Sequence, residues 1–200
     1  MKVGHLRMSR GGVPLHVVSV NVSLPKTVEW QGRQVTTGIF KEPVAGRIRI
    51  RRTGLAGDRQ ADPSVHGGPS KAVYAYPSEH YPFWRRELER SDLPWGSFGE
   101  NLTTEGLDER TLRIGDRLRV GSALLRVTQP RMPCYKLGIR FGQMDMVRRF
   151  LASGRSGFYL AVLEEGDVAA GDPIELLQTK NNLPTVSQVV EEVRQEEPGE

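Results

Sequence analysis

The chain has 200 residues, of which 38% are hydrophobic, and a formal net charge of +4 at pH 7. This length suits one domain of ordinary size with its own core, and no apolar run approaches the length of a membrane helix. The N-terminus carries charge without a following apolar segment, so we expect no secretory signal peptide.

The positive charge is unevenly distributed along the chain. Residues 191–200 hold five glutamates against one arginine, so the remaining chain is more basic than the net charge suggests. A basic body suits an anionic ligand such as a phosphorylated cofactor or a nucleic acid, although a solvated basic surface is the alternative. A single cysteine cannot form an internal disulfide, which favours a reducing, cytoplasmic location.

The first half of the chain contains three candidate strands. Residues 1–14 contain Gly11, Gly12 and Pro14 and are predicted to form a flexible arm. Residues 15–22 are rich in β-branched side chains and predict a strand. Residues 47–51 alternate isoleucine with arginine, which predicts a half-buried strand, and residues 72–76 are interpreted in the same way.

Two short helices are predicted from apolar spacing. Ser78 is a candidate cap for a helix that begins near Glu79 and has Tyr81, Trp84 and Leu88 at helical spacing. A second helix is predicted over residues 143–153, with Gly154 at the position of a C-terminal cap. The apolar face of this second helix consists of Met144, Val147, Phe150 and Leu151.

Further short strands complete the prediction. Residues 117–120 and 123–127 are joined by a Gly-Ser pair that is typical of a two-residue hairpin turn. Residues 158–163 and 173–177 are also predicted strands. Many short strands with two brief helices favour a mainly β fold, which we expect to be a closed β-barrel, with a sandwich as the alternative architecture.

The predicted organisation has three parts. The flexible arm comprises residues 1–14, and the barrel domain comprises residues 15–177. Residues 178–200 contain a polar linker, a short amphipathic C-terminal helix marked by valines, and an acidic tail.

The segment around Cys134 is the strongest candidate for chemistry. Prolines at positions 130 and 133 restrict the backbone, so the thiol would be presented from a stiff turn. Arg131 and Lys136 flank it, and nearby cations favour the thiolate, which is both a nucleophile and a metal ligand. The alternative is that Cys134 is a small buried apolar residue.

Three other loops carry candidate binding residues. Glycines at 54, 57, 67 and 68 allow backbone N–H groups to face an anion, and His66 and Lys71 lie beside them. Asn101, in the loop 96–102, offers donors and acceptors to the edge of a pterin or purine ring. Arg155, among small residues, could bind a phosphate through two hydrogen bonds. Ordinary turns and solvated side chains are the alternative in each case.

Other familiar chemistries find less support. The four histidines and Cys134 do not have the spacing of zinc ligands. The chain contains neither a phosphate-binding loop that ends in Gly-Lys-Ser/Thr nor a Gly-x-Ser-x-Gly nucleophile elbow. A hydrolase that uses Cys134 and His66 is an alternative, but no feature supplies an oxyanion hole. No nucleic-acid-binding module is recognisable.

Several segments together match one known pattern in chain order. They lie at residues 20–25, 38–44, 57–71, 76–81, 98–102, 129–134 and 153–157. The combination resembles the MOSC family, whose domain is shared with the C-terminal part of molybdenum-cofactor sulfurases. It is most similar to the free-standing bacterial YiiM-type members.

The resemblance implies a closed β-barrel of the MOSC and pyruvate-kinase barrel-domain type that binds a molybdopterin-type molybdenum cofactor. Cys134 would be the molybdenum or sulfur ligand, since a soft thiolate suits such a metal. The other residues expected to bind the cofactor are His66, Lys71, Asn101, Arg131, Lys136 and Arg155. Basic side chains among them would complement the pterin phosphate. The family is also associated with pyridoxal phosphate.

The resemblance further implies an oxidoreductase that reduces N-hydroxylated compounds of the hydroxylaminopurine type. The chain has no second cysteine for an iron–sulfur centre, so we expect a separate electron-donor protein. A homodimer is expected by analogy. One alternative is a carrier that delivers cofactor or sulfur without turnover, and another is a non-catalytic scaffold in which Cys134 is merely packed.

Overall fold

The computed structural model describes residues 14–61, 67–178 and 181–196. The strands are β1 (His16–Val22), β2 (Lys26–Trp30), β3 (Arg33–Thr37), β4 (Glu42–Pro43), β5 (Ile48–Arg51), β6 (Gly54–Leu55), β7 (Val73–Pro77), β8 (Leu102–Glu105), β9 (Arg117–Val120), β10 (Ala123–Pro130), β11 (Phe158–Glu164), β12 (Gly166–Val168) and β13 (Ile174–Gln178). The α-helices are α1 (Tyr81–Glu87), α2 (Tyr135–Phe141), α3 (Met146–Ser153) and α4 (Val186–Glu196). Short 3-10 helices span Pro69–Lys71 and Ser78–His80.

The strands form three sheets. The largest has eight strands in the order β13-β9-β10-β11-β7-β8-β1-β4, and its β7–β8 pair is parallel while the other named pairs are antiparallel. A three-stranded sheet has the order β12-β5-β6, and β2 and β3 form a separate hairpin. The hairpin from β9 to β10 confirms the turn predicted at Gly121, whose φ is +56°.

The prediction of a closed β-barrel is wrong, because none of the sheets in the described ranges closes on itself. The strand order of the large sheet ends at β13 on one side and at β4 on the other. Near one end, an isolated bridge between His16 and Pro173 joins β1 to the segment that enters β13. Three backbone hydrogen bonds accompany it: Val17 N–H to the Asp172 carbonyl at 2.9 Å, Gly171 N–H to the Val17 carbonyl at 2.7 Å, and Ile174 N–H to the Leu15 carbonyl at 2.8 Å.

The three helices predicted from the sequence are present, and α2 is a fourth that was not predicted. Gly154, with φ +66°, ends α3 as expected, but Met144 lies before that helix and is 71% exposed. Ser78 does not cap α1, because a 3-10 turn precedes the helix. No helix in the described part of the chain is long and apolar enough to cross a membrane.

Two buried clusters form the core. The larger lies among the sheet strands, and the smaller is aromatic and joins the sheet to α1, α2 and α3. In β5, Ile50 is buried while Arg49 and Arg51 are exposed, which confirms the predicted alternation. All five residues of β7 are buried, so the prediction of a half-buried strand there is wrong. The reason is that the aromatic cluster covers the second face of this strand, as is typical of a central strand buried on both sides.

Candidate functional site

Cys134 lies at the junction between the large sheet and α2. It occupies the N-cap position with φ −126° and ψ 171°, and its carbonyl oxygen accepts the N–H of Leu137 at 2.9 Å. Only three residues separate the end of β10 from Cys134, so the sheet and the helix together fix its position. Its thiol is free and half-buried.

Arg131 carries a buried positive charge beside this junction. The residue is 6% exposed, and its guanidinium carbon lies 5.5 Å from the ring centre of Tyr74 and 5.1 Å from that of Phe150. Burial opposes its charge, but interactions with Tyr74, Tyr159 and Cys134 leave the pKa of Arg131 raised. The Nη1 atom has no hydrogen-bond partner among the described residues. Arg131 is therefore a permanent buried cation with a spare donor, three residues before Cys134.

Aromatic hydroxyls fix the loop that carries Arg155. The Tyr74 hydroxyl donates to the Ser156 carbonyl oxygen at 2.8 Å, and the Tyr76 hydroxyl donates to the Arg155 carbonyl oxygen at 3.2 Å. Trp84 Nε1 in turn donates to the Tyr76 hydroxyl at 2.7 Å. These bonds attach residues 155–156 to β7, so the loop lies against the same aromatic cluster that surrounds Arg131.

The side chain of Asn101 is occupied by the protein itself. Its Nδ2 donates to Asp58 Oδ2 at 2.9 Å and to the Asn21 carbonyl oxygen at 3.4 Å, while its Oδ1 accepts the Tyr74 N–H at 3.1 Å. Asn101 is 4% exposed, and these bonds use both N–H donors of its side-chain amide. Asn101 therefore joins β1, β7 and the Asp58 loop, and any contact with a cofactor stays a prediction.

A buried ion pair supports Asn101, and sequence reasoning missed it. Lys41 Nζ lies 2.5 Å from Asp58 Oδ1, with side-chain exposures of 8% and 6%. Asp58 also accepts the Ser23 N–H at 2.9 Å. Burial lowers the pKa of Lys41 despite the neighbouring carboxylate. The two residues are 17 positions apart in loops without periodicity, so the sequence offers no local signal for the pair.

Glu100 is a second buried charge that the sequence did not reveal. It is fully buried, and its carboxylate accepts the N–H groups of Gly96 at 2.8 Å and Phe98 at 3.1 Å. It also accepts Thr103 Oγ1 at 2.9 Å and the Tyr81 hydroxyl. Burial raises the pKa of Glu100. All these donors belong to the protein, which indicates that Glu100 organises the 96–103 loop.

The remaining predicted residues lie in different surroundings. Lys71 is half-buried in a 3-10 turn that Thr128 Oγ1 fixes by donating to the Ser70 carbonyl oxygen at 2.6 Å. Lys136 is half-buried in the first turn of α2. The guanidinium of Arg155 lies 3.8 Å from the ring centre of Phe83 and donates to the Ser153 carbonyl oxygen at 3.0 Å. His66 lies outside the described residues.

Arg131 and Cys134 are three residues apart between β10 and α2, and Asn101 is linked to this region through Tyr74, whose N–H it accepts and whose ring lies 5.5 Å from the Arg131 guanidinium carbon. Arg155 is held at the edge of the same aromatic cluster through Tyr76. This arrangement can bind an anionic group beside a thiol.

Comparisons with known proteins identify similar chains. The MOSC domain family model matches residues 62–175. An uncharacterized protein YflK from Bacillus subtilis is 47% identical over 161 residues, which cover 80% of this chain and 72% of YflK. A protein from Gibberella moniliformis described as a reductase is 38% identical over 150 residues, which cover 74% of this chain but only 27% of the reductase.

A solved structure shows the same fold. The crystal structure of YiiM from Geobacillus stearothermophilus superimposes with a TM-score of 0.76 at 34% sequence identity. The match covers 93% of this chain and 87% of that one. The similarity therefore extends beyond the segment that the family model matches.

Proposed function

The chain belongs to the MOSC domain family, as its motifs predicted, and we propose that it binds a molybdenum cofactor and reduces N-hydroxylated compounds. The observation that carries the proposal is the buried guanidinium of Arg131, three residues before Cys134, whose Nη1 has no hydrogen-bond partner among the described residues. The relative described as a reductase supports reductive chemistry, although this chain spans about a quarter of its length.

The side chains present fit such a group. Among the described residues, no three His, Cys, Asp or Glu side chains converge to hold a metal ion. A metal at Cys134 would therefore arrive with ligands of its own, as molybdenum does in a dithiolene cofactor, and gain one protein thiolate. When bound, the cofactor would supply a two-electron reducing centre that accepts oxygen from the substrate.

The residues of the chain would hold and orient the cofactor. Cys134, fixed at the start of α2, would provide the thiolate ligand. The free donor of Arg131 would bond an anionic oxygen, and the planar guanidinium suits a phosphate. Lys71, Lys136 and Arg155 would add positive charge around it. His66 is included among the proposed cofactor-binding residues only because it matches the family motif.

Electrons for the reduction would come from a separate protein. Iron–sulfur centres are normally held by several cysteines, and the sequence has one. In the longer reductase, nearly three quarters of the chain lies outside the match. We infer that a dedicated donor docks on this chain or on a larger assembly that contains it.

The proposal is tested by loading the protein with cofactor and measuring reduction of 6-hydroxylaminopurine with a chemical reductant. Cys134→Ser should abolish turnover, because serine is a poor ligand for a soft metal site. Met132→Leu, in the same loop, is the control and should keep the activity. Unchanged activity in Cys134→Ser contradicts the proposed role. Cofactor retention without reduction of any N-hydroxylated compound favours a carrier instead.

A further inference from the structure

Two arginines lie opposite each other at the surface of the β9–β10 hairpin. Arg126 of β10 is paired in register with Arg117 of β9, and both residues are exposed. Residues directly opposite in an antiparallel pair have Cβ atoms about 4.5–5.5 Å apart, and like charges in this arrangement destabilise the sheet. The pair therefore opposes the stability of the hairpin, which calls for a reason outside the fold.

The surroundings of the two arginines do not neutralise them. On its other edge, Arg126 is paired with Ala161 of β11, which carries no charge. Neither arginine forms an ion pair with a carboxylate in the ranges that the structure describes. Two positive charges are thus concentrated at one point of the surface without an internal counter-charge.

The next arginine along β9 is surrounded differently. Arg119 lies two residues after Arg117, so both side chains point to the same side of the strand. The Nη2 atom of Arg119 is 3.8 Å from Glu164 Oε2, and Glu175 of β13 is paired with Arg119 in register. Acidic residues therefore border the arginine pair on one side, so the basic surface is compact and does not continue along the sheet.

The arginine pair also lies on the strand that leads to the thiol. From Arg126, β10 continues to Pro130, a length of about 13 Å at roughly 3.3 Å per residue, and Cys134 follows shortly after. Thr128, two residues beyond Arg126, donates to the Ser70 carbonyl oxygen at 2.6 Å and so fixes the turn that carries Lys71 beside β10. A partner bound over the arginines would lie next to segments that we assign to the cofactor.

We propose that Arg117 and Arg126 form a docking surface for an acidic electron-transfer protein, which is the separate donor inferred above. Complementary charges bring two proteins together quickly and fix their relative orientation. A discrete acidic patch on a protein matches this compact pair, whereas a nucleic acid would need a longer run of cations that contacts several phosphates. The inference rests on the proposed function only for the electron-donating role, since the binding itself depends on charge and not on turnover.

The test is isothermal titration calorimetry of the full chain, without cofactor, against a plant-type [2Fe–2S] ferredoxin of net negative charge. Low ionic strength is used because salt screens exposed charges. Arg117→Gln/Arg126→Gln should weaken binding by about 2- to 30-fold, the combined loss expected for two exposed charge pairs. Arg33→Gln/Arg86→Gln is the matched control, since it removes the same charge from exposed residues on β3 and α1, and it should leave the affinity unchanged.

Three results would overturn the docking surface. They are the absence of ferredoxin binding by the wild type, an equal loss of affinity in the two double variants, and tighter binding of a single-stranded DNA oligonucleotide than of ferredoxin. Removing the contact between like charges should leave Tm unchanged or raise it, so weaker binding with an undiminished Tm supports the proposal and is not due to unfolding.

A second measurement separates this inference from the proposed function. In the protein loaded with cofactor, reduction of 6-hydroxylaminopurine driven by reduced ferredoxin should fall in Arg117→Gln/Arg126→Gln, whereas reduction driven by dithionite should not. An equal fall with both reductants would overturn the electron-donating role of the partner. A wild type that is inactive with dithionite contradicts the proposed function, while the calorimetry still decides whether the arginine pair binds an acidic protein.

Discussion

Replacing Asp58 with asparagine should destabilise the fold strongly, because it leaves the buried ammonium of Lys41 without its counter-charge. In the wild type, Asp58 accepts Lys41 Nζ at 2.5 Å, Asn101 Nδ2 at 2.9 Å and the Ser23 N–H at 2.9 Å. Breaking a buried pair by removing one partner costs about 3–5 kcal/mol. For a chain of this size each kcal/mol lowers Tm by about 2–4 °C, which gives a fall of roughly 6–20 °C.

The assay is urea unfolding monitored by far-UV circular dichroism. A second substitution, Lys41→Met, removes the ammonium that Asp58→Asn leaves without a counter-charge. In Asp58→Asn/Lys41→Met neither charge remains, so the double variant should be more stable than the sum of the single losses, by about 0.5–3 kcal/mol. Asp92→Asn is the control. Its pair with Arg90 is largely exposed, at 3.5 Å, and such pairs contribute about 0–1 kcal/mol.

Two results would refute this reasoning. If Asp58→Asn lowers the free energy of unfolding by less than about 1 kcal/mol, the Lys41–Asp58 pair contributes no more than an exposed salt bridge does. Strict additivity in the double variant would mean that Lys41 and Asp58 do not interact in solution. Either result would also remove the support that we assign to Asn101.

Three further predictions concern pH, backbone and charge. Burial raises the pKa of four of the five tyrosines above 10.0, so the folded chain keeps phenol protons that the unfolded chain releases. The free energy of unfolding should therefore fall as the pH rises above 10.0. An absorbance at 295 nm showing that all the tyrosines are ionised while the protein is still folded would contradict this. Gly157→Ala should lower the free energy of unfolding in urea by more than about 1 kcal/mol, since φ is +62° and the new Cβ would lie 2.5 Å from the Ala75 carbonyl oxygen. Gly171→Ala, where φ is +87° but no atom lies near the new Cβ, should lower it by less. Equal losses in the two variants would disprove the close approach at Gly157. Arg131→Lys should lower the retained molybdenum because lysine lacks the planar donor fork, whereas Arg126→Lys, which is exposed, should not, as measured by mass spectrometry of the metal.

Local patterns in the sequence were sufficient to predict most secondary structure. Strands such as β1 and β11 are rich in apolar residues, and the Gly-Ser pair between β9 and β10 is typical of a two-residue hairpin turn. Helix α2 was missed because it spans only seven residues and directly follows a segment with two prolines. Its existence depends on packing of Leu137 into the aromatic cluster, which no local pattern reveals.

Closure of the sheet could not be predicted, because it depends on the register between residues far apart in the chain. Short alternating strands occur equally in open sheets and in barrels. Here residues 15–17 and 171–174, which are more than 150 positions apart, are joined by an isolated bridge and three backbone hydrogen bonds, without forming a ladder between β1 and β13. The full burial of β7 is a similar effect, since it requires helices that cover the second face.

The candidate site was predictable only where it is local. Arg131 and Cys134 are three residues apart, so their proximity follows from the sequence. Asn101 was chosen for its donors and acceptors, but partners from Asp58 and Tyr74 use them within the fold. Arg155 packs on Phe83, which lies on a different element. Such long-range partners depend on the tertiary structure, and residue type alone does not indicate them.

The most direct test of the account is the molybdenum content of the protein purified from a host that synthesises the cofactor. The wild-type chain should retain close to stoichiometric molybdenum, and Cys134→Ser should lose most of it while keeping the same far-UV circular dichroism spectrum. A wild-type chain without molybdenum, or equal molybdenum in both proteins, would contradict the assignment of Cys134 as the metal ligand.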